Sequence, residues 1–185
     1  MSNKEIPEPG LSFLNEIDDS LESEISFHCF GGFAIALQYD LPRETADVDI
    51  MATVVRDRYN ELFELAGKGS ALHKKYKVYL DMVGAIAVIP DDYEDRLIPI
   101  TEATFRHIRL FVMEPHDIVL AKLGRDAPKD IQDVMYLAKV ANLNTQLLRE
   151  RYEFELRDNV IGPPERAEGT LKYWISTIEE IQISK

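Results

Sequence analysis

FHCFGGFAIALQYDLPRETADVDIMATV, residues 27–54, carries a Gly-Gly pair at Gly31 and Gly32 and then two aspartates, Asp47 and Asp49, one residue apart in an apolar run. Side chains alternate faces along a strand, so a strand here aims both aspartates one way and sends Val48 and Ile50 into a core. Two carboxylates on one patch suit a cation. A glycine pair just upstream lets backbone N–H groups approach a phosphate chain with no side chain between.

Working outward, Ile25–Phe30 reads as the strand entering the glycine turn, and residues 33–37 have helical content until Pro42 breaks the chain. Residues 45–55 form the strand of the aspartates. Before it, residues 11–24 place Leu11, Leu14, Ile17 and Leu21 on one helical stripe. After it come a helix over 56–65 ending near Gly67 and Gly69, and a third strand over 77–83, with Asp81 among apolar neighbours and a continuation over 85–89. Residues 90–104 read as loop. Residues 106–113 alternate, with Ile108, Leu110 and Val112 on one face, as a half-buried strand does. From Glu114 the pattern turns helical. Pro115 and Pro128 suit first helical turns, and Gly124 a helix end. The helix after Pro128 is expected to bury Ile131, Val134, Ala138 and Ala141, and Gly162-Pro163-Pro164 separates two last helices, over 145–159 and 165–181. The expected fold class is α+β (α/β): a small mixed sheet with flanking helices and a C-terminal helical cluster. Residues 1–10 are expected to be a flexible start, 11–113 the core, and 114–185 a helical part packed on it within one domain.

A chain of 185 residues with 45% hydrophobic and 29% charged side chains is composed like a soluble globular protein, with no apolar run of the roughly 20 residues that a membrane helix needs. The start lacks a basic segment followed by an apolar one, and the single Cys29 excludes an internal disulfide, so a cytoplasmic location is expected. The net charge of −12 argues against a protein that coats nucleic acid. Half of it lies in residues 1–24, where seven acidic side chains face one lysine. A local basic surface would draw on Lys74, Lys75, Lys77, Arg106, His107 and Arg109, although scattered solvated charge is the ordinary state of such residues. The four histidines have no metal-ligand spacing, and Cys29 is read as a buried small hydrophobe.

Gly31-Gly32, fourteen residues, then Asp47-Val48-Asp49-Ile50 resembles the signature of the nucleotidyltransferase superfamily that includes DNA polymerase β and the small bacterial minimal nucleotidyltransferases. Arg43-Glu44-Thr45-Ala46-Asp47-Val48-Asp49 is similar to the Arg-x-Ser/Thr-x-Asp-h-Asp of the AbiEii toxin-type members. Their later signature is matched by Lys122, Arg125 and Lys129-Asp130-Ile131-Gln132-Asp133. The resemblance implies a nucleotidyltransferase-like fold in which Asp47, Asp49 and Asp81 are catalytic and hold Mg²⁺, expected as two ions, with Asp81 also assisting deprotonation of the attacking hydroxyl. It implies that Gly31, Gly32, Arg43, Thr45, Lys122, Arg125, Lys129, Asp130 and Asp133 bind an NTP. The NMP group would pass to a hydroxyl acceptor: RNA, a protein or a small molecule. An idle binding or toxin–antitoxin module, with a cognate antitoxin as partner, is the alternative, and the carboxylates by themselves also suit a phosphohydrolase. Each residue also has a structural reading. The aspartates fit a polar sheet face, the glycines a simple turn, and Lys122 and Asp130 helix-dipole charges. Arg43 suits either a phosphate or an ion pair with Asp47.

Overall fold

The computed structural model describes residues 6–84, 89–101, 103–123 and 127–184. The expected continuation of the third strand over 85–88, Gly124 and Arg125 lie outside them. The fold is mixed α+β, in two compact units: Met1–Ala85 with Leu97–Val112, and Ile86–Arg96 with Met113–Lys185.

The first unit is built on a five-stranded mixed sheet of order β3-β2-β1-β5-β4. Its strands are β1 (Ile25–Phe30), β2 (Asp47–Met51), β3 (Tyr79–Val83), β4 (Ile98–Pro99) and β5 (Ile108–Val112). β1 runs antiparallel to β2 and parallel to β5; β2 and β3 are parallel, and β4 and β5 antiparallel. The alternation read in residues 106–113 is present, since Ile108, Leu110 and Val112 are buried. Helix α1 (Gly10–Ser20) buries Phe13, Leu14 and Ile17, each worth about 1.5–3 kcal/mol over leaving it in water. It stops at Ser20, not 24, because Leu21 turns to extended backbone and the chain heads for β1. Helix α2 (Gly31–Tyr39) leaves β1 directly, and α3 (Tyr59–Ala66) follows a 3-10 turn at Arg56–Arg58.

Three further stretches differ from expectation. β2 is shorter than residues 45–55 because its ladder with β3 runs only from Asp47↔Tyr79 to Met51↔Val83, after which the chain turns. A further helix, α4 (Ala71–Tyr76), precedes β3. The Ser70 hydroxyl caps it by accepting from the His73 N–H, and Lys77 ends it in the left-handed region, so β3 begins at Tyr79 and not at 77. Residues 90–104 are not all loop: they include a 3-10 turn at Tyr93–Arg96 and β4.

The second unit holds α5 (Pro115–Leu120), α6 (Pro128–Val140), α7 (Thr145–Arg151) and α8 (Pro164–Ile183), with α7 continuing into a π-helical turn at Tyr152–Leu156 and a 3-10 turn at Arg157–Asn159. Pro115 and Pro128 both sit in first turns. Trp174, Ile175 and Ile178 of α8 are buried, as are Val134 and Leu137 of α6, the helix it packs against. Val134, Ala138 and Ala141 are buried as expected, but Ile131 is 37% exposed and α6 buries Asp130, Asp133 and Leu137 beside them. The reason is a buried cation, Lys122, that draws both aspartates inward. A second ionic cluster has no counterpart in the sequence reading. Arg96 donates to Asp117 (2.9 and 3.1 Å) and Glu155 (2.6 and 3.3 Å), and Arg151 donates to Asp117 (2.8 Å) and Glu114. Two guanidiniums thus compensate Asp117, which is fully buried. Among the described residues no helix is long and apolar enough to cross a membrane.

Candidate functional site

The site begins where β1 ends. Phe30 pairs with Asp49 across the antiparallel ladder, and Gly31 then takes φ +67° to start α2. A Cβ on Gly31 would lie 1.9 Å from Asp49 Oδ2, so a side chain there would have to displace the Asp49 carboxylate. A Cβ on Gly32 would lie 2.9 Å from Thr45 Cγ2 and 3.0 Å from the Arg43 guanidinium. The glycine corner therefore faces Asp49, Arg43 and Thr45 at closest range, and its two missing side chains make that approach possible.

Register supplies the third carboxylate. Asp47 pairs with Tyr79 and Asp49 with Asp81 across the parallel ladder of β2 and β3. In-register residues on neighbouring strands share a face about 4.8 Å apart, so Asp47, Asp49, Tyr79 and Asp81 project from one side of the sheet. One oxygen from each of Asp47, Asp49 and Asp81 lies within 4.8 Å of the others. Val48 and Ile50 go to the opposite side and are fully buried, while Asp49 is 6% exposed and the other two aspartates are half-buried.

The cluster's field is felt by its neighbours. Burial first, and then Asp47, Asp81 and Asp49, push the Tyr79 phenol above its ordinary range. Burial, with a smaller contribution from Asp49, also pushes up the Cys29 thiol, which keeps it protonated and unreactive. The donor set fits a hard divalent cation. Three carboxylate oxygens match the all-oxygen preference of Mg²⁺. An octahedral ion with ligands at about 2.1 Å puts opposite oxygens about 4.2 Å apart, so a spread of at most 4.8 Å requires only small side-chain rotations.

The later group of expected nucleotide-binding residues lies in the second unit. Lys122 follows α5 and is 2% exposed; its ammonium donates to Asp130 Oδ1 (3.1 Å) and Asp133 Oδ2 (2.9 Å). These three form one buried ionic cluster; Asp130 stands in the first turn of α6 as the helix-dipole reading has it, whereas Lys122 lies beyond the last turn of α5. Lys129, in the first turn of α6, is exposed, and Arg125 is outside the described residues. Beside the triad, the sequence reading missed Tyr79. The available signal was the strand period, which puts a residue two before Asp81 on its face.

The family model that matches is described as nucleotidyltransferase of unknown function (DUF6036), and it covers residues 11–185. No curated protein and no solved structure matches the chain. A match over nearly the whole length shows the family: this chain belongs to the nucleotidyltransferases of unknown function.

Proposed function

We propose that the chain is a metal-dependent nucleotidyltransferase that moves an NMP group from an NTP to a hydroxyl acceptor. The observation that carries this reading is the convergence of Asp47, Asp49 and Asp81 beside a glycine corner whose missing side chains leave room for Asp49, Arg43 and Thr45. Asp47, Asp49 and Asp81 would hold magnesium, as two ions. When bound, magnesium offsets the charge that develops on the phosphoryl oxygens and the departing pyrophosphate. The backbone N–H groups at the start of α2, with Arg43 and Thr45, would bind the polyphosphate. A cavity of about 890 Å³ in the same unit, bordered by Arg43, Thr45, Phe33 and Tyr76, has room for the nucleoside. The acceptor hydroxyl oxygen attacks the α-phosphorus, and its proton passes to Asp81. A new P–O bond forms as the bond to the α–β bridging oxygen breaks, and that oxygen leaves with the electron pair as pyrophosphate.

The test is titration calorimetry with Mg²⁺ and each NTP, on the wild type and on Asp49→Asn. The expected result is Mg²⁺-dependent binding of at least one NTP, weakened about tenfold or more by the substitution. Incubation with α-labelled NTP and cell extract should then transfer label to an acceptor. NTP binding that is absent, or indifferent to Asp49→Asn, would overturn the proposal and leave an idle module.

A further inference from the structure

On the β3 side of the triad a second cavity opens, of about 500 Å³, and Asp81 belongs to both. Its other walls are Tyr59 and Phe63 of α3, Lys68, and Tyr79, Leu80 and Met82 of β3. Tyr59 and Phe63, one helical turn apart, lie parallel, with 4° between planes and 6.3 Å between centroids. This stacked pair remains 38% and 47% exposed. The Tyr79 ring is fixed by the edge of His73 at 5.0 Å, and the Lys68 ammonium lies 5.6 Å from its centroid.

Position gives this cavity a role, if the transferase reading holds, since the inference rests on it. In a displacement at phosphorus the entering and departing oxygens lie on opposite sides. The polyphosphate is assigned to the glycine corner, which springs from β1. β2 carries Asp47 and Asp49, and β3, on the far side of β2 from β1, carries Asp81. The attacking hydroxyl must therefore come from the β3 side, where this cavity lies.

Its walls select the acceptor. Parallel aromatic rings left half in water gain most from a planar partner laid against them. Lys68 supplies a cation in the same wall, over the Tyr79 ring, which favours an acceptor that carries an anionic substituent as well as its hydroxyl. A volume of about 500 Å³ suits a small molecule, and the net charge of −12 opposes a polyanionic chain. We infer that the cavity bounded by Tyr59, Phe63, Lys68, Tyr79 and Asp81 is the acceptor subsite, and that the acceptor is a small planar hydroxylated acid.

Saturation-transfer NMR and calorimetry on the full chain test this with two such acids, 4-hydroxybenzoate and 5-hydroxyindole-3-acetate, against phenol and 3-hydroxybutyrate. Tyr59→Ala, Phe63→Ala and Lys68→Ala alter exposed side chains, and a thermal melt of each variant checks that it folds. Both aromatic acids should bind saturably and better than phenol or 3-hydroxybutyrate. Tyr59→Ala or Phe63→Ala should weaken them about fivefold, and Lys68→Ala should weaken the acids but not phenol. Mg²⁺–NTP affinity should stay within about twofold in all three variants. No saturable binding of either acid, or binding indifferent to Tyr59 and Phe63, overturns the subsite while intact NTP binding leaves the transferase standing. Loss of NTP binding in the wild type overturns both.

Discussion

Gly31 shows how strongly one residue can be dictated by another far away in sequence. Its φ of +67° alone would disfavour any side chain, and the Asp49 carboxylate then occupies the place where a Cβ would be. Gly31→Ala must either push Asp49 away from Asp47 and Asp81 or unwind the start of α2. Gly69 is the control, since it also has positive φ (+95°) but nothing within 4 Å of its missing Cβ. Gly69→Ala should cost about 1–2 kcal/mol of backbone strain and leave ion binding intact. Gly31→Ala should weaken Mn²⁺ binding, followed by electron paramagnetic resonance, about tenfold or more. Wild-type affinity in Gly31→Ala would mean that Asp49 is not a ligand.

Between elements, a single carboxylate adds a polar tie to the apolar packing of α1. Asp18, buried near the end of the helix, accepts from the backbone N–H groups of Arg106, His107 and Ile108, at 2.7, 2.7 and 2.8 Å, where β5 begins. In the sequence it was one more member of an acidic N-terminal segment, because nothing local distinguishes a carboxylate that will meet three N–H groups 88 to 90 residues away. Burial opposes its charge, yet those three donors outweigh burial and hold its pKa below the ordinary value of 3.8. A carboxyl lowered on folding contributes stability that is complete above its unfolded pKa and is lost as pH falls through the folded one. Asp18→Asn should therefore cost about 2 kcal/mol at pH 7. In urea unfolding the gap between variant and wild type should narrow steadily below about pH 4. A gap of constant size down to pH 2.5 would show that the charge contributes nothing.

Across the whole chain, what could be read from the sequence was what short-range periodicity encodes. Period two put Asp47 and Asp49 on one face, and the glycine pair marked the helix start that meets them. Asp81 was placed by its apolar strand, and the parallel register supplied the contact. What escaped depends on long-range pairing. Ala71–Tyr76 is too short and polar for a helical stripe, the buried Lys122 brings Asp130 and Asp133 onto the buried face of α6 where Ile131 was expected, and the rings of Tyr59 and Phe63 come beside Asp81 only once α3 lies along β3. Overall charge was readable at once, and it bears on the acceptor. With a net charge of −12 and a pI of about 4.8, the surface repels a phosphodiester chain, and the basic side chains nearest to forming a patch are partly committed: Lys75 pairs with Glu16 and Arg109 with Glu24. Single-stranded RNA of about twenty nucleotides should show no saturable filter binding at about 150 mM salt, under conditions in which Mg²⁺–NTP binds. Saturable RNA binding that weakens steeply with added salt would reveal a cationic track, and would shift the acceptor from a small molecule to a polynucleotide.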